Sequence, residues 1–323
     1  MTTSSPTTPD TIPTRNHLIV KRHPTNPILS AGMWPYPANA VFNAGATRLK
    51  DGTTLLLCRV EAMTGISHLC AARSENGVDN WQIDSEPTFA PHPDYPEEEW
   101  GVEDPRITYL PEKDVYAVFY TAYSHNGPGV ALALTEDFKT FERKGIIFAP
   151  EDKDAAIFPR RFGGRWVALH RPVTQDSANI YLSYSDNLTG WGQSRCVLEA
   201  RRGPWWDANK VGMSPPPLET PEGWLVMYHG VKVTGSGRLY RNGLALYDLE
   251  RPDKLLKRSD AWMFGPLEPY ERLGDVDNVV FPCGYTVDDD GDGLNIYYGA
   301  ADTCIGLATT SISELLDWLE KNS

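Results

Sequence analysis

The sequence predicts an all-β protein, a five-bladed β-propeller with a C-terminal helix. Three observations carry this prediction. One strand-turn-strand pattern returns five times; 27 Gly and 26 Pro break the chain at short intervals; and helical periodicity is missing except at the C-terminus. The 15 Tyr and 10 Trp add to the case, because aromatic residues favour strands.

Each copy of the pattern opens with a short apolar strand and turns into an aromatic-rich one. After a gap it adds a strand of small residues, which ends in an acidic or Asn turn before an aromatic. The first copy spans 41–49, the turn 50–52, then 54–60 and 68–74, closing at Asp79-Asn-Trp81. The second takes 103–108, 115–122 and 130–135 and closes over 137–141. The third takes 156–161, 165–170 and 180–185 and closes at Asn187-Leu-Thr-Gly-Trp191. The fourth has 213–217, 224–230 and 242–248, and the fifth 280–285, 294–300 and 305–309. Landmarks at Asn43, Glu103, Phe158, Ser214 and Phe281 lie 60, 55, 56 and 67 residues apart, the length of a propeller blade. Ser311 as N-cap and Glu314 as its capping-box partner start the terminal helix, whose Leu315, Leu316, Trp318 and Leu319 are expected to pack on an outer face. Residues 1–15 read as a flexible leader and 16–323 as a single catalytic propeller domain.

Charge and cysteine usage narrow the function. Forty-three acidic against 30 basic residues give −13, which argues against nucleic acid or an anionic membrane as partner. No run of 18 apolar residues is present to span a membrane. The five cysteines (58, 70, 196, 283, 304) are odd in number and scattered, so they form neither a disulfide framework nor a zinc site. They point to a reducing, cytoplasmic setting. Asp288-Asp-Asp-Gly-Asp-Gly293 has the alternating acids of a calcium loop, but position twelve is Gly299 and no helices flank it. It reads as a hairpin turn, and no metal is expected. G-x-x-x-x-G-K-[ST], G-x-S-x-G and H-E-x-x-H are all missing.

In a propeller the first strand of every blade lines a central funnel, so polar residues far apart in sequence meet in one pocket. The inner-strand candidates are rich in such groups: Asn43, Arg48, Glu103, Asp104, Arg106, Arg160, Arg161, Lys210, His229 and Asp302. In Gly101-Val-Glu-Asp-Pro-Arg106 the proline keeps Asp104 out of the helical region, and strand alternation sends Glu103 and Asp104 to opposite faces. Lys210 and His229, with Arg160, Arg161 and Arg171, have the makings of an anion site, since guanidinium forks match phosphate oxygens. Trp34, Trp100, Trp205 and Trp206 are candidates for stacking on sugar rings at the funnel mouth.

The motifs Phe42-Asn-Ala-Gly-Ala, Val102-Glu-Asp-Pro-Arg-Ile107, Phe158-Pro-Arg-Arg, His170-Arg-Pro172, Tyr228-His-Gly-Val231 and Tyr298-Gly-Ala-Ala-Asp302, in this order, resemble glycoside hydrolase family 130, the inverting β-mannoside phosphorylases. The resemblance implies a five-bladed propeller that converts a β-mannoside and inorganic phosphate into α-mannose 1-phosphate and a shortened acceptor. Phosphate is the co-substrate and no other cofactor is needed. Asp104 matches the general acid, whose proton is thought to pass through the mannosyl 3-hydroxyl. Asn43, Arg59, Glu103 and Asp302 match mannoside-binding positions, and Arg160, Arg171, Lys210, His229 and Tyr240 phosphate-binding ones, with the choice between Arg160 and Arg161 as the one that faces phosphate left open. The resemblance leaves a homo-oligomer open. Two alternatives stand beside this reading: an inverting β-mannosidase, in which water replaces phosphate and the basic cluster turns from the pocket, and a non-catalytic sugar-binding propeller.

Overall fold

In the computed structural model, which describes residues 19–174, 178–235 and 237–323, antiparallel strands form five blades, the first two joined into one sheet by a single parallel pairing of Ser67 with Gly101. The leader expected over residues 1–15 lies outside the described residues. Blade 1 runs outward through Ala40–Arg48, Thr54–Glu61, Ser67–Ser74 and Gln82–Ile83. Blade 2 has Gly101–Leu110, Val115–Ser124, Gly127–Thr135 and Glu142–Phe148. Blade 3 has Asp152–Ile157, Trp166–Pro172, Ile180–Ser185 and Trp191–Leu198. Blade 4 has Lys210–Met213, with Leu218–Thr220 beside the same neighbour, then Gly223–Thr234, Gly237–Tyr247 and Leu255–Arg258. Blade 5 has Val280–Val287, Gly293–Ala300 and Cys304–Ser311. Its outer edge is completed from the other end of the chain: Lys21–Arg22 and Leu29–Ser30 both pair with Cys304–Ser311, so the N-terminal segment closes the ring. The repeat pattern does not reveal these two-residue strands. A buried ion pair between Arg22 and Glu271 (2.6 Å) fastens the closure.

The strands alternate between two buried faces, and the apolar residues fall into five large clusters, one at each blade junction, and a small sixth of Val279, Phe281 and Cys283. Leu55, Leu57 and Leu69 of blade 1 meet Val102, Ile107 and Tyr120 of blade 2. Phe119 meets Trp166 between blades 2 and 3, and Phe158 meets Trp224 between blades 3 and 4. Leu244 meets Tyr298 between blades 4 and 5, and Tyr297 meets Cys58 where blade 5 returns to blade 1. The terminal helix, Ile312–Lys321, buries Leu315 and Leu319 against the junction of blades 4 and 5, as its spacing predicts. Ser311 caps it by accepting the N–H of Glu314, whose carboxylate takes the hydroxyl of Thr310.

The acidic or Asn turns recognised in the sequence share one design. Ser74, Thr135 and Ser185 each accept the N–H three residues on through the side-chain oxygen. Asn76, Asp137 and Asn187 then do the same for their own third neighbour. These turns end the third strand of blades 1 to 3. Residues 288–292 form the hairpin turn between two strands of blade 5, as expected.

Around the axis the inner strands pack backbone to backbone. A Cβ on Gly284 of blade 5 would stand 2.2 Å from the Ala46 nitrogen of blade 1. That atom is backbone and cannot step aside. Gly284→Ala is expected to destabilise the protein by about 3 kcal/mol or to prevent folding, read by urea denaturation.

Candidate active site

Three inner strands break in the same way. The pairing register slips between Phe42 and Gly45 in blade 1, Glu103 and Arg106 in blade 2, and Lys153 and Ala156 in blade 3. Inside each slip sits one residue with left-handed backbone: Asn43 (φ 46), Asp104 (φ 48) and Asp154 (φ 53). Asn and Asp tolerate this region best among residues with a side chain. A bulge re-aims the side chain it carries, and all three line one central cavity of about 220 Å³.

The cavity has two chemically distinct sides. Blades 1, 2 and 5 supply Asn43, Arg59, Asp104 and Asp302. Blades 3 and 4 supply Lys153, Asp154, Arg171, Lys210, His229, Arg238 and Tyr240. Val231, Val276, Val279 and Phe281 complete the lining. Arg106, almost wholly buried, closes the axis and ties three blades. It donates to the carbonyls of Asp104 (2.8 Å), Met213 (3.1 Å) and Ser214 (3.1 Å) and to the Asp154 carboxylate (3.3 Å).

Asp104 Oδ1 accepts from Asn43 Nδ2 (2.9 Å) and Arg59 Nη1 (3.0 Å). Arg59 Nη2 holds Glu103 Oε1 (3.0 Å), and Lys153 Nζ reaches Glu103 Oε2 at 3.5 Å. Strand alternation would have parted the two carboxylates. The left-handed turn at Asp104 instead brings both onto one guanidinium. Burial pushes the Asp104 carboxyl up, but Arg59, Lys153, Arg106 and the Asn43 bond outweigh it and hold it below its ordinary value. Asp302 goes the other way: burial and then the neighbouring Asp104 charge push it up to about 6.

The raised value at Asp302 makes a stability prediction. A carboxyl whose folded value exceeds its unfolded one costs stability when it ionises. That cost is nil below pH 4, grows between about pH 4 and 6, and is full above 6. Asp302→Asn removes it. Because Asp302 is partly exposed, the expected gain at pH 7.5 is about 1–2 kcal/mol, less than the full shift would imply. Urea denaturation at pH 7.5 and pH 4 checks this, and an equal effect at both would refute it.

On the opposite side, Arg171 grips Asp154 Oδ2 through Nε (2.8 Å) and Nη2 (2.7 Å), with His229 Nε2 at 3.6 Å from the same oxygen. Burial, only partly opposed by Asp154, brings His229 down to about 4, so the imidazole is neutral at neutral pH. Its Nδ1 is buried with no hydrogen-bond partner among the described residues. Burial and the charges of Arg171 and Arg238 lower Lys210. Asp152 braces this side from behind: it accepts the Arg171 backbone N–H (3.0 Å) and contacts His170 Nδ1 at 2.6 Å.

The structure thus gathers Asn43, Arg59, Asp104, Arg171, Lys210, His229, Tyr240 and Asp302 at one cavity, with Glu103 directly behind Arg59. Arg160 is a correction. It follows the end of its inner strand, stacks on Phe162 and Trp224, and bonds the Leu249 carbonyl and Glu250, away from the cavity. Arg161 is held by Glu112 on the surface, and Arg48 by Asp289. Phe158 is therefore not the counterpart of Asn43; Asp154, four residues earlier, is. Lys153, Asp154 and Arg238 are lining residues that the sequence reading does not single out. The signal for the first two was a polar residue before a small-residue strand, Asp154-Ala-Ala-Ile157, as in Asn43-Ala-Gly-Ala46. Of the four tryptophans, Trp34 and Trp206 are buried under loops, whereas Trp100 and Trp205 remain exposed.

A propeller whose funnel holds a carboxylate cluster on one side and cations on the other is built as an enzyme site for a polyol and an anion together. The chain belongs to glycoside hydrolase family 130: the family pattern, described as beta-1,4-mannooligosaccharide phosphorylase, matches residues 20–321. It is 31% identical over 314 residues to the beta-1,4-mannooligosaccharide phosphorylase of Ruminococcus albus, covering 94% of this chain and 92% of that one. It is 39% identical over 260 residues to the beta-1,2-mannobiose phosphorylase of Listeria innocua, covering 80% and 70%. The solved structure of a beta-1,2-mannobiose phosphorylase from Listeria innocua, in complex with beta-1,2-mannobiose, superposes with a TM-score of 0.84 at 30% identity, covering 94% of this chain and 99% of that one.

Proposed function

We propose that this protein is an inverting β-mannoside phosphorylase. It takes a β-linked mannosyl disaccharide or oligosaccharide and inorganic phosphate to α-mannose 1-phosphate and the shortened acceptor. The observation that carries the reading is the set of cations Lys153, Arg171, Lys210 and Arg238, which line with Asp104 a single cavity of about 220 Å³. An inverting hydrolase would need a carboxylate base there; the carboxylate on that side, Asp154, is gripped by Arg171 and Arg106 and held far below its ordinary value, which makes it a poor base. Phosphate is already anionic and needs no base; it has only to be held in line with the anomeric carbon.

In this reading Asn43, Arg59, Glu103 and Asp302 bind the mannosyl unit, and Asp104 supplies the proton to the departing acceptor oxygen through the mannosyl 3-hydroxyl. Arg171, Lys210, His229 and Tyr240, joined by Lys153, hold phosphate. The free pocket keeps Asp104 ionised, because Arg59, Lys153 and Arg106 outweigh its burial. Phosphate arriving beside Lys153 offsets those cations and raises the proton affinity of Asp104. Binding of the nucleophile and charging of the acid are therefore linked. Residues 16–323 act as one catalytic domain in a reducing cytoplasm, a setting supported by five unpaired cysteines.

The test is product analysis on β-1,2- and β-1,4-mannobiose, mannosyl-glucose and mannosyl-N-acetylglucosamine, with and without phosphate. Mannose 1-phosphate formed only with phosphate is the expected result. Free mannose at a rate indifferent to phosphate would overturn the reading.

A further inference from the structure

Asp154 is out of place in an anion site. A carboxylate among Lys153, Arg171, Lys210 and His229 repels any anion those groups attract, and asparagine would fit the same left-handed position. We propose that Asp154 reads the proton on phosphate: its carboxylate accepts the P–OH hydrogen, so the pocket takes hydrogen phosphate and rejects tetrahedral oxyanions that carry no proton, sulfate above all. The proposal rests on the phosphorylase reading and deepens it.

The geometry supports this role. Asp154 borders the cavity on the side of the cations, turned there by its bulge. Its Oδ2 is occupied by Arg171 Nε and Nη2 and faces His229 Nε2. Among the described residues its Oδ1 accepts one long bond, 3.3 Å from Arg106, and a carboxylate oxygen can accept two. One strong acceptor position is therefore open beside three cations. Burial would favour the protonated acid, but the permanent charges of Arg171, Arg106 and Lys153 outweigh it and hold the carboxyl far below its ordinary value. Asp154 thus remains an acceptor and never a donor at working pH. Gly212 makes room for the contact, since a Cβ there would lie 2.6 Å from His229 Nε2 and 2.8 Å from Asp154 Oδ2.

An O–H···O⁻ hydrogen bond is short and charge-assisted, so hydrogen phosphate turns the repulsion into an attraction. Sulfate has no hydrogen to offer at neutral pH. It meets the carboxylate as bare like charge and leaves the acceptor unmatched. Arsenate keeps an As–OH and should behave as phosphate does. Monofluorophosphate, a dianion of similar shape without the O–H, should behave as sulfate does.

The experiment uses the full chain and its phosphorolysis assay. KM is measured for phosphate and arsenate, and inhibition constants for sulfate and monofluorophosphate against phosphate. For the wild type, both inhibition constants are expected to exceed the phosphate KM by about 100-fold. In Asp154→Asn the amide donates where the carboxylate accepted, so phosphate KM rises, sulfate binds more tightly, and the gap closes to within about 5-fold. A role only as a brace for Arg171 would weaken all four anions in proportion, and that outcome overturns the proposal. If the variant does not fold, the wild-type comparison still decides: sulfate inhibiting near the phosphate KM overturns the proposal while leaving the phosphorylase reading intact. Turnover indifferent to phosphate overturns both.

Discussion

Replacing Asp104 by asparagine is expected to lower kcat on a β-mannosyl disaccharide by about 10³-fold, with the fold retained. The size follows from the usual worth of a positioned general acid. The fold should survive because asparagine adopts the same left-handed backbone and still offers an oxygen to Asn43 and Arg59. Arg59 also keeps Glu103 as a partner, so its charge is not left bare. The control is an aryl β-mannoside such as the p-nitrophenyl glycoside, whose leaving group departs without a proton. The variant should retain far more activity there. An equal loss on both substrates would remove Asp104 from the acid role and make it a binding residue.

Lys210→Ala carries the second large effect, and it falls on phosphate alone. A charged hydrogen bond to a bound anion is worth about 1.5–3 kcal/mol, so phosphate KM should rise about 10- to 100-fold. The KM for the mannoside should move little, because Lys210 lies on the side of the cavity away from Asn43 and Arg59. The half-buried ammonium already suffers from burial and from the charges of Arg171 and Arg238, a tension that a bound phosphate relieves. Initial rates over a grid of phosphate and mannoside concentrations separate the two constants. An unchanged phosphate KM would take Lys210 out of the anion site.

The blades were legible because each must bury two faces with the same short pattern, and the Ser/Thr-x-Asp/Asn turns that end the third strands announce themselves locally. The landmark Asn43 falls on the bulge of the first copy, and Glu103 lies one residue before that of the second, Asp104. The third landmark, Phe158, misses Asp154 by four residues. The run Pro150-Glu-Asp-Lys-Asp154 is dense in charge, and nothing local says that half-buried Lys153 and buried Asp154 sit among Arg59, Arg106 and Arg171 from three blades. Phe158-Pro-Arg-Arg161 offers instead two half-buried arginines that lie away from the cavity. The closing strands Lys21–Arg22 and Leu29–Ser30 were hidden for a related reason: two residues carry no periodicity, and their partner lies nearly 300 positions away. Local chemistry was readable, whereas charge compensation across the ring was not.

The three left-handed positions also constrain how such a pocket can change during descent. At Asn43, Asp104 and Asp154 the backbone accepts an amide or a carboxylate with equal ease and penalises branched or larger side chains. Exchanging Asn for Asp there alters charge without moving the frame. A lineage can therefore rewrite the electrostatic pattern of its funnel, acid here, neutral acceptor there, by single exchanges at fixed points on a rigid wheel. Diversification by swapping charges comes cheaply in this architecture; diversification by reshaping the inner wall does not.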